Sequence, residues 1–493
     1  MKNLLFILLF AVITIKADAQ NISDALRYSQ REPLGSARYV GVAGSMGAIG
    51  ADFGAITDNP AGLAAYRFSE VVMSPGLYLN STSSQLKSSP FTKENIYGPT
   101  FDNLGLVLVK NGFEGSKWKT VNFSIGYNKV GDFNRQLYFE GATPGSITDH
   151  WREQALHVSP GDLSGFASGL AYEAGAIYDN NNDNVYESDF TSYANAPVTK
   201  NQLAKTRGYM SEIQFSLAGN YQDKLLIGAA LVIPSLSYTE EKTYEESDPS
   251  KLNPVFESLK YTEYLKTKGS GINLKLGAII KLHDLFRLGL AFQTPSLIEL
   301  SDDYSTGLAY SFVENGKVQT FDKTSPQTGQ FTYNLITPMR ARASFGSVIA
   351  KNGFIGASVE YVNYTKSRFD FNSTNGQASS SDIDYQNALN QDILKQYKST
   401  LNYSLGGEIA IDVLRLRGGI SLIGSPYANE TDFTKTVSAG IGYRGGRFFS
   451  DMAFRHSSYD DGYLPYTTSS NDPQLVYSKH NQNRVVLTFG YKF

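Results

Sequence analysis

The chain has 493 residues, with 44 basic and 47 acidic side chains for a formal net charge of −3, and no cysteine. A near-neutral balance offers nothing to nucleic acid, and the lack of thiols excludes disulfide frameworks, thiolate metal sites and cysteine nucleophiles. Apolar residues make up only 41%, with no long apolar run beyond the amino terminus, which excludes a helical membrane protein; 32 Tyr, 29 Phe and 45 Gly suit aromatic girdles and curved strands.

In chain order, Lys2 followed by an apolar run over 4–15 and the small-x-small site Ala17-Asp18-Ala19 reads as a secretory signal over 1–19, cleaved near Ala19. Residues 20–67 hold Gly35, Gly41, Gly44, Gly47 and Gly50 and end in Asp58-Asn59-Pro60-Ala61-Gly62-Leu63. Glycine at this density permits close backbone approach and positive φ, so this segment is expected to be a compact plug rather than a wall strand. From residue 68 to 493, alternation and turn signals predict about fourteen strands: 68–80, 101–110, 118–141, 206–220, 224–240, 258–281, 285–301, 329–350, 353–371, 400–411, 413–424, 433–443, 446–459 and 482–493. Long connections are expected after Asn80, Gly141, Glu240, Ser301, Phe371 and Tyr459. Short turns are expected at Asn111-Gly112, Gln222-Asp223, His283-Asp284, Lys351-Asn352 and Arg444-Gly445.

The faces of these strands sort by polarity. Leu414, Leu416 and Ile420 alternate with Arg415, Arg417 and Gly419, and the last strand sets Val485, Leu487, Phe489, Tyr491 and Phe493 against Arg484, Thr488 and Gly490. A charge facing lipid at midplane costs about 2–4 kcal/mol, so the polar side belongs inside. The fold expected is all-β: a transmembrane antiparallel barrel of about fourteen strands with a plug in its lumen and short helices in an external loop. Both termini then lie on the side of the short turns.

The plug motif Asn59-Pro60-Ala61, together with Leu335-Ile336-Thr337-Pro338-Met339-Arg340, the run from Ala357 to Lys366, and Ser438-Ala439-Gly440-Ile441-Gly442-Tyr443, resembles the FadL/TodX family of outer-membrane long-chain fatty-acid and hydrocarbon transporters, in its Bacteroidota form. The resemblance implies a hatch motif at Asn59, Pro60 and Ala61 and a passive sideways route for hydrophobic ligands through a kinked third strand. Outer-membrane lipid and the barrel-assembly machinery are the expected partners, since the terminal Phe493 at the end of its alternating strand resembles the assembly signal of bacterial outer-membrane proteins. The family also suggests an alternative, a non-transporting scaffold or adaptor of a secretion or surface-attachment system.

Several residues are candidates for that function. The third strand is interrupted by Asn128-Lys129-Val130-Gly131-Asp132, and an interior glycine marks a bulge or bend, so Val130, Gly131 and Asp132 are the expected kink; a tight turn between two separate strands is the alternative. In the following loop, Ser159 and Pro160 suit a helix start, and Leu163, Phe166 and Leu170 recur at helical spacing, either to capture ligand or to pack on the barrel mouth. Packing is favoured. Arg340 and Arg342 point inward together, to hold a carboxylate or to pair with Asp52 and Asp58 of the plug; pairing is favoured, because an unpaired enclosed charge is costly. Asp179, Asn181, Asp183 and Glu187 resemble part of a calcium loop, but Phe190 occupies the closing position, so no metal is assigned. The five histidines are scattered and no nucleophile, base and orienting group come together. No enzyme activity, cofactor or nucleic-acid partner is expected.

Overall fold

The computed structural model describes residues 21–112, 115–325, 328–349, 352–371, 378–469 and 473–493. The signal sequence expected over 1–19, and Ala350 and Lys351 at an expected strand end and turn, lie outside them.

Among the described residues, nineteen strand segments form one antiparallel sheet that closes on itself by pairing of the first segment with the last. They assemble into fourteen wall strands. These are β1 (Glu70–Leu86), β2 (Thr92–Asn111), β3 (Trp118–Asp132 and Arg135–Pro144), β4 (Pro197–Tyr221), β5 (Leu225–Ser247) and β6 (Phe256–Lys281). They continue as β7 (Phe286–Gln293 and Leu297–Glu314), β8 (Lys317–Thr324, Gly329–Ile336 and Arg340–Val348) and β9 (Gly353–Asn363 and Arg368–Asp370). The ring is completed by β10 (Ser399–Ile411), β11 (Leu414–Gly424), β12 (Phe433–Gly445), β13 (Phe448–Tyr463) and β14 (Val476–Lys492). Segments count as one strand where both pair with the same neighbour, as both parts of β7 do with β6.

Polarity sorts as the alternation requires. Leu414, Leu416 and Ile420 are 44, 45 and 42% exposed on the outside, whereas Arg417 between them is 6% exposed within. In β14, Leu487, Phe489 and Tyr491 face out while Arg484 and Thr488 are buried inside. Phe493 donates its N–H to the Ser69 carbonyl at 3.0 Å, so the last residue meets the start of β1.

Two expected long loops are instead mostly strand, and the one expected after Glu240 shrinks to 248–255. The chain expected to leave the sheet after Asn80 continues to Leu86 and returns at Thr92, and the stretch after Ser301 extends to Glu314 and turns at Asn315-Gly316, both at positive φ, into Lys317–Thr324. An Asn-Gly pair at positive φ matches strand twist. Beyond the apolar belt water bathes the outer surface, so the alternation that reveals a membrane strand fades while the ladder goes on. The connection 145–196 carries α4 (Ile147–Ala155) and α5 (Ser168–Glu173), and the chain before β10 carries α6 (Ser380–Gln396). The segment before β1 forms α1 (Ile22–Arg27), α2 (Ala37–Gly41), α3 (Phe53–Asp58) and a 3₁₀ turn, Pro60–Ala65.

Candidate functional site

The third strand leaves its neighbour partway up. β3 is paired with β2 from Thr120 to Asn128. Beyond Asn128 its ladder continues, among the described residues, only with β4, where one extra residue, Val130, lies between the pairs Lys129–Ser211 and Gly131–Met210. A bulge of this kind bends its strand. Opposite it, Gly208 of β4 has φ +130°, and a Cβ there would come 2.0 Å from the Ser237 carbonyl oxygen, so the bend needs glycine at that position too. The strand breaks at Phe133 and Asn134 and resumes as Arg135–Pro144, paired with Pro197–Thr206 of β4. Because both segments pair with β4, they are one bent strand, and the reading of two strands around a tight turn is set aside.

Among the described residues, Thr92–Asp102 of β2 has a ladder with β1 alone. The upper part of β3 passes on the bore side of β1, where the inward Asn80 amide donates to the Asn134 carbonyl at 2.8 Å. Gln136 reaches Glu94 at 2.6 Å. The bend is pinned by Asp132, which is 4% exposed and receives Lys129 Nζ at 2.9 Å, Arg484 at 2.5 Å and the Asn134 N–H at 3.0 Å. Arg484 also holds Asp102 of β2 at 2.6 Å, so one guanidinium ties β14, β2 and β3 together where the ladder ends.

Behind the bend lies a compartment of rings. Phe133 packs edge-on against Tyr28 and Tyr238, at centroid distances of 6.1 and 5.6 Å, and all three are buried. Ile298, Leu300, Tyr333, Leu335 and Phe369 continue the same apolar cluster across the bore. Tyr28 follows α1, whose Arg27 lies over the Tyr238 ring at 4.3 Å. Sequence alternation gave no sign of this compartment, because its members come from stretches far apart in the chain.

Below it, the amino-terminal segment meets inward side chains all round the ring. Asn59 caps the 3₁₀ turn by accepting the Ala61 N–H at 3.1 Å, and its amide donates to the Gly47 carbonyl at 2.8 Å. Pro60 and Ala61 lie against bare wall backbone. A Cβ on Gly277 would come 2.0 Å from Asn59 Oδ1, and one on Gly228 would come 2.5 Å from the Pro60 oxygen. Glycines at inward positions of β5 and β6 were the available sign that backbone packs there.

Arg342 bonds Asp58 of this segment and reaches Glu360 at 2.9 Å; Arg340 holds the same Glu360 at 2.9 Å and bonds the Ser29 carbonyl. Asp52 takes no part. Its Oδ1 accepts the Gly54 N–H at 2.9 Å as the cap of α3 and the Ser36 hydroxyl at 2.7 Å, so its pairing with the arginines is corrected: the helix terminus claims it first. Further pairs join segment and wall: Arg31–Glu212 at 2.6 Å, Arg38–Glu408 at 3.0 Å and Glu32–Arg455 at 2.9 Å.

The helix expected from Pro160 through Leu170 is divided. Pro160–Asp162 is a 3₁₀ turn without a side-chain cap at Ser159, Leu163 is extended at ψ 148°, and α5 starts only at Ser168. Ser, Gly and Asp in 159–165 compete poorly for helix, and packing on the barrel mouth decides the path. Leu170 is 1% exposed in a core with Trp151, Phe190 and Phe256, Leu163 packs at its edge, and the half-buried Phe166 lies 4.7 Å from the Tyr304 ring. α4 was not expected, although Ser146 and Asp149 form a capping box visible in sequence. Asp179 spends its carboxylate on the N–H groups of Asp183 and Asn184, at 3.2 and 2.9 Å.

No family model matches the chain, and no curated protein matches it. Solved structures do. A FadL homologue of Pseudomonas aeruginosa superposes with a TM-score of 0.55 at 12% identity, over 94% of this chain and 100% of that one. The toluene transporter TodX of P. putida gives a TM-score of 0.50 at 12% identity, over 94% and 99%. The chain thus shares its fold, a closed fourteen-stranded antiparallel barrel, with these FadL-type proteins.

Proposed function

We propose that this protein is a non-enzymatic, passive outer-membrane transporter, exported by a signal cleaved near Ala19, that takes up hydrophobic small molecules such as long-chain fatty acids or related hydrocarbons. Residues 20–67 act as its hatch, and the bend at Val130, Gly131 and Asp132 is its lateral outlet. The observation that carries this reading is the coincidence of the lost β2–β3 ladder with a compartment of rings on its inner side. An apolar solute held by Phe133, Tyr28 and Tyr238 gains nothing from the ion-paired lower bore and keeps its apolar surroundings by leaving sideways. The named activity of TodX and the shared fold lend it support.

The test is Gly131→Val. A Cβ at this position lies 3.3 Å from Met210 Cβ, so a β-branched side chain must shift the bulge. Uptake of labelled oleate or toluene by cells making the variant is expected to fall about tenfold, equivalent to ~1.4 kcal/mol on the limiting step, with unchanged barrel assembly. Full uptake by an assembled variant would remove the bend from the route. Co-purification with secretion partners, with neither probe bound, would instead favour the scaffold reading.

A further inference from the structure

The wall is not strand all the way round. β9 and β10 are paired up to Asn363 and Ser399, where β10 begins. Above that level the upper part of β9, Arg368–Asp370, has a ladder with β8 on one side. On its other side lies a helix. The Phe369 N–H donates to Asn390 Oδ1 at 2.8 Å, Asn390 Nδ2 donates back to the Phe369 carbonyl at 3.0 Å, and the Phe371 N–H donates to Gln386 Oε1 at 2.7 Å. Four residues of helix rise about 6 Å and two residues of strand about 6.6 Å. Gln386 and Asn390 of α6 therefore match the repeat of the strand edge, and their amides replace the missing ladder.

The same helix closes the ring compartment. Leu389 and Ile393 are 7 and 0% exposed and belong to one apolar cluster with Tyr28, Phe133 and Tyr238, while Asp384, Asn387, Gln391 and Lys395 are exposed on the opposite face. The other boundaries of the compartment are held more heavily. The hatch side carries several buried ion pairs, the bend carries the Asp132–Arg484–Asp102 bridge, and the cap over β4 to β7 buries Trp151, Phe190 and Leu170. At α6, three side-chain amide bonds, the Leu389 and Ile393 side chains, the Tyr385 ring 6.3 Å from that of Phe371, and the Ala428 N–H bonded to the Gln396 carbonyl at 2.8 Å do this work, with no buried ion pair among them.

We propose that α6 is a door through which hydrophobic molecules are admitted from the loop side into the ring compartment, half the ring away from the bend in β3. This rests on the uptake reading above and adds where uptake begins. Unlike a continuous ladder, amide contacts from one helix face can be exchanged for water without breaking the sheet, because β9 keeps its β8 partner.

The chain has no cysteine, so single thiols report opening without background. In the purified intact barrel, maleimide should label Ile393→Cys about tenfold faster than Leu170→Cys in the cap core, with Leu389→Cys as a second reporter should the first disturb folding. Adding Gln386→Ala and Asn390→Ala should raise that rate about tenfold more. Equal rates at the door and cap positions overturn the proposal, whatever the barrel transports. In membranes, joining Arg368→Cys to Gln391→Cys with a flexible bismaleimide should cut uptake of labelled oleate and toluene about tenfold against protein modified at one cysteine only. Unchanged uptake in the tethered protein also overturns the door. Lack of uptake by the unmodified protein would instead sink the transport reading, while the labelling rates still judge the door.

Discussion

On the turn side of the bore the amino-terminal segment meets the wall through charge and bare backbone, whereas on the loop side it meets the wall through rings. In the lower region Arg417, whose side chain is fully buried, holds Glu408 at 2.6 Å and Asp451 at 2.7 Å, and Arg38 joins the same Glu408 from the segment. Wall glycines let Asn59, Pro60, Val42 and Ser45 touch strand backbone. In the upper region Tyr28 meets Phe133 and Tyr238 by ring edges. The difference lies in what can replace each contact. A buried ion pair has directional partners and leaves an uncompensated charge when one is lost, whereas a ring contact can be exchanged for another apolar surface, including that of a ligand.

Breaking the lower region should therefore cost most. Glu408→Ala leaves both Arg38 and Arg417 without their shared carboxylate and is expected to destabilise the barrel by about 3–5 kcal/mol, read as a lower unfolding temperature in detergent. A wild-type transition would mean that these charges are hydrated and the contrast between the two regions is false. Gly277→Val drives a side chain into Asn59 and is expected to cost about 1–3 kcal/mol, displacing the Asn59-Pro60 turn and exposing Arg31 and Arg38 to trypsin. Gly418→Ala is its control, since a Cβ there meets nothing within 4 Å, and protection should not change.

In the upper region the effect should be smaller and of different character. Tyr28→Leu, which keeps most of the buried apolar volume, removes two ring-edge contacts worth about 0.5–1.5 kcal/mol each, so amide exchange in α1 should quicken while binding of an aromatic probe is gained, its ring taking their place. Loss of probe binding in that variant would make Tyr28 part of the binding surface rather than an occupant of it. The smallest expected effect is on the cap, outside the membrane. His150 donates Nδ1–H to the Thr467 carbonyl at 2.7 Å, and burial lowers its pKa below the ordinary 6.5. An undocked cap takes up the proton first, so docking is complete above pH 6.5 and weakens as pH falls below it. Emission from Trp151 compared at about pH 7.5 and 5.5 checks this, with a shift expected only on the acid side.

The legible and illegible parts of the molecule differ in kind. Strands such as β11 and β14 could be read because lipid outside and polar lumen inside impose a two-residue period on Leu414, Leu416 and Ile420 or Leu487, Phe489 and Tyr491. The bend could be anticipated near Gly131 because glycine and Asp interrupt that period, but its break at Phe133 and its bulge at Val130 depend on Gly208 in the neighbouring strand. Asp52 illustrates the limit. Its carboxylate has two available uses, and only the position of Ser36 and the start of α3 select capping over pairing.

From its residues alone, this chain declares a closed antiparallel wall with an apolar exterior and arginines turned to the lumen, and its glycine-rich amino-terminal segment supports the expectation of a plug. These follow from short-range periodicity and from the cost of charge in lipid, both of which act on each strand separately. Which carboxylate each arginine holds, the gathering of Tyr28, Phe133 and Tyr238 behind a broken ladder, and the sealing of β9 by amides of a helix were decided only when the ring closed. Each joins residues far apart in the chain, and their meeting depends on register and curvature that no local pattern encodes.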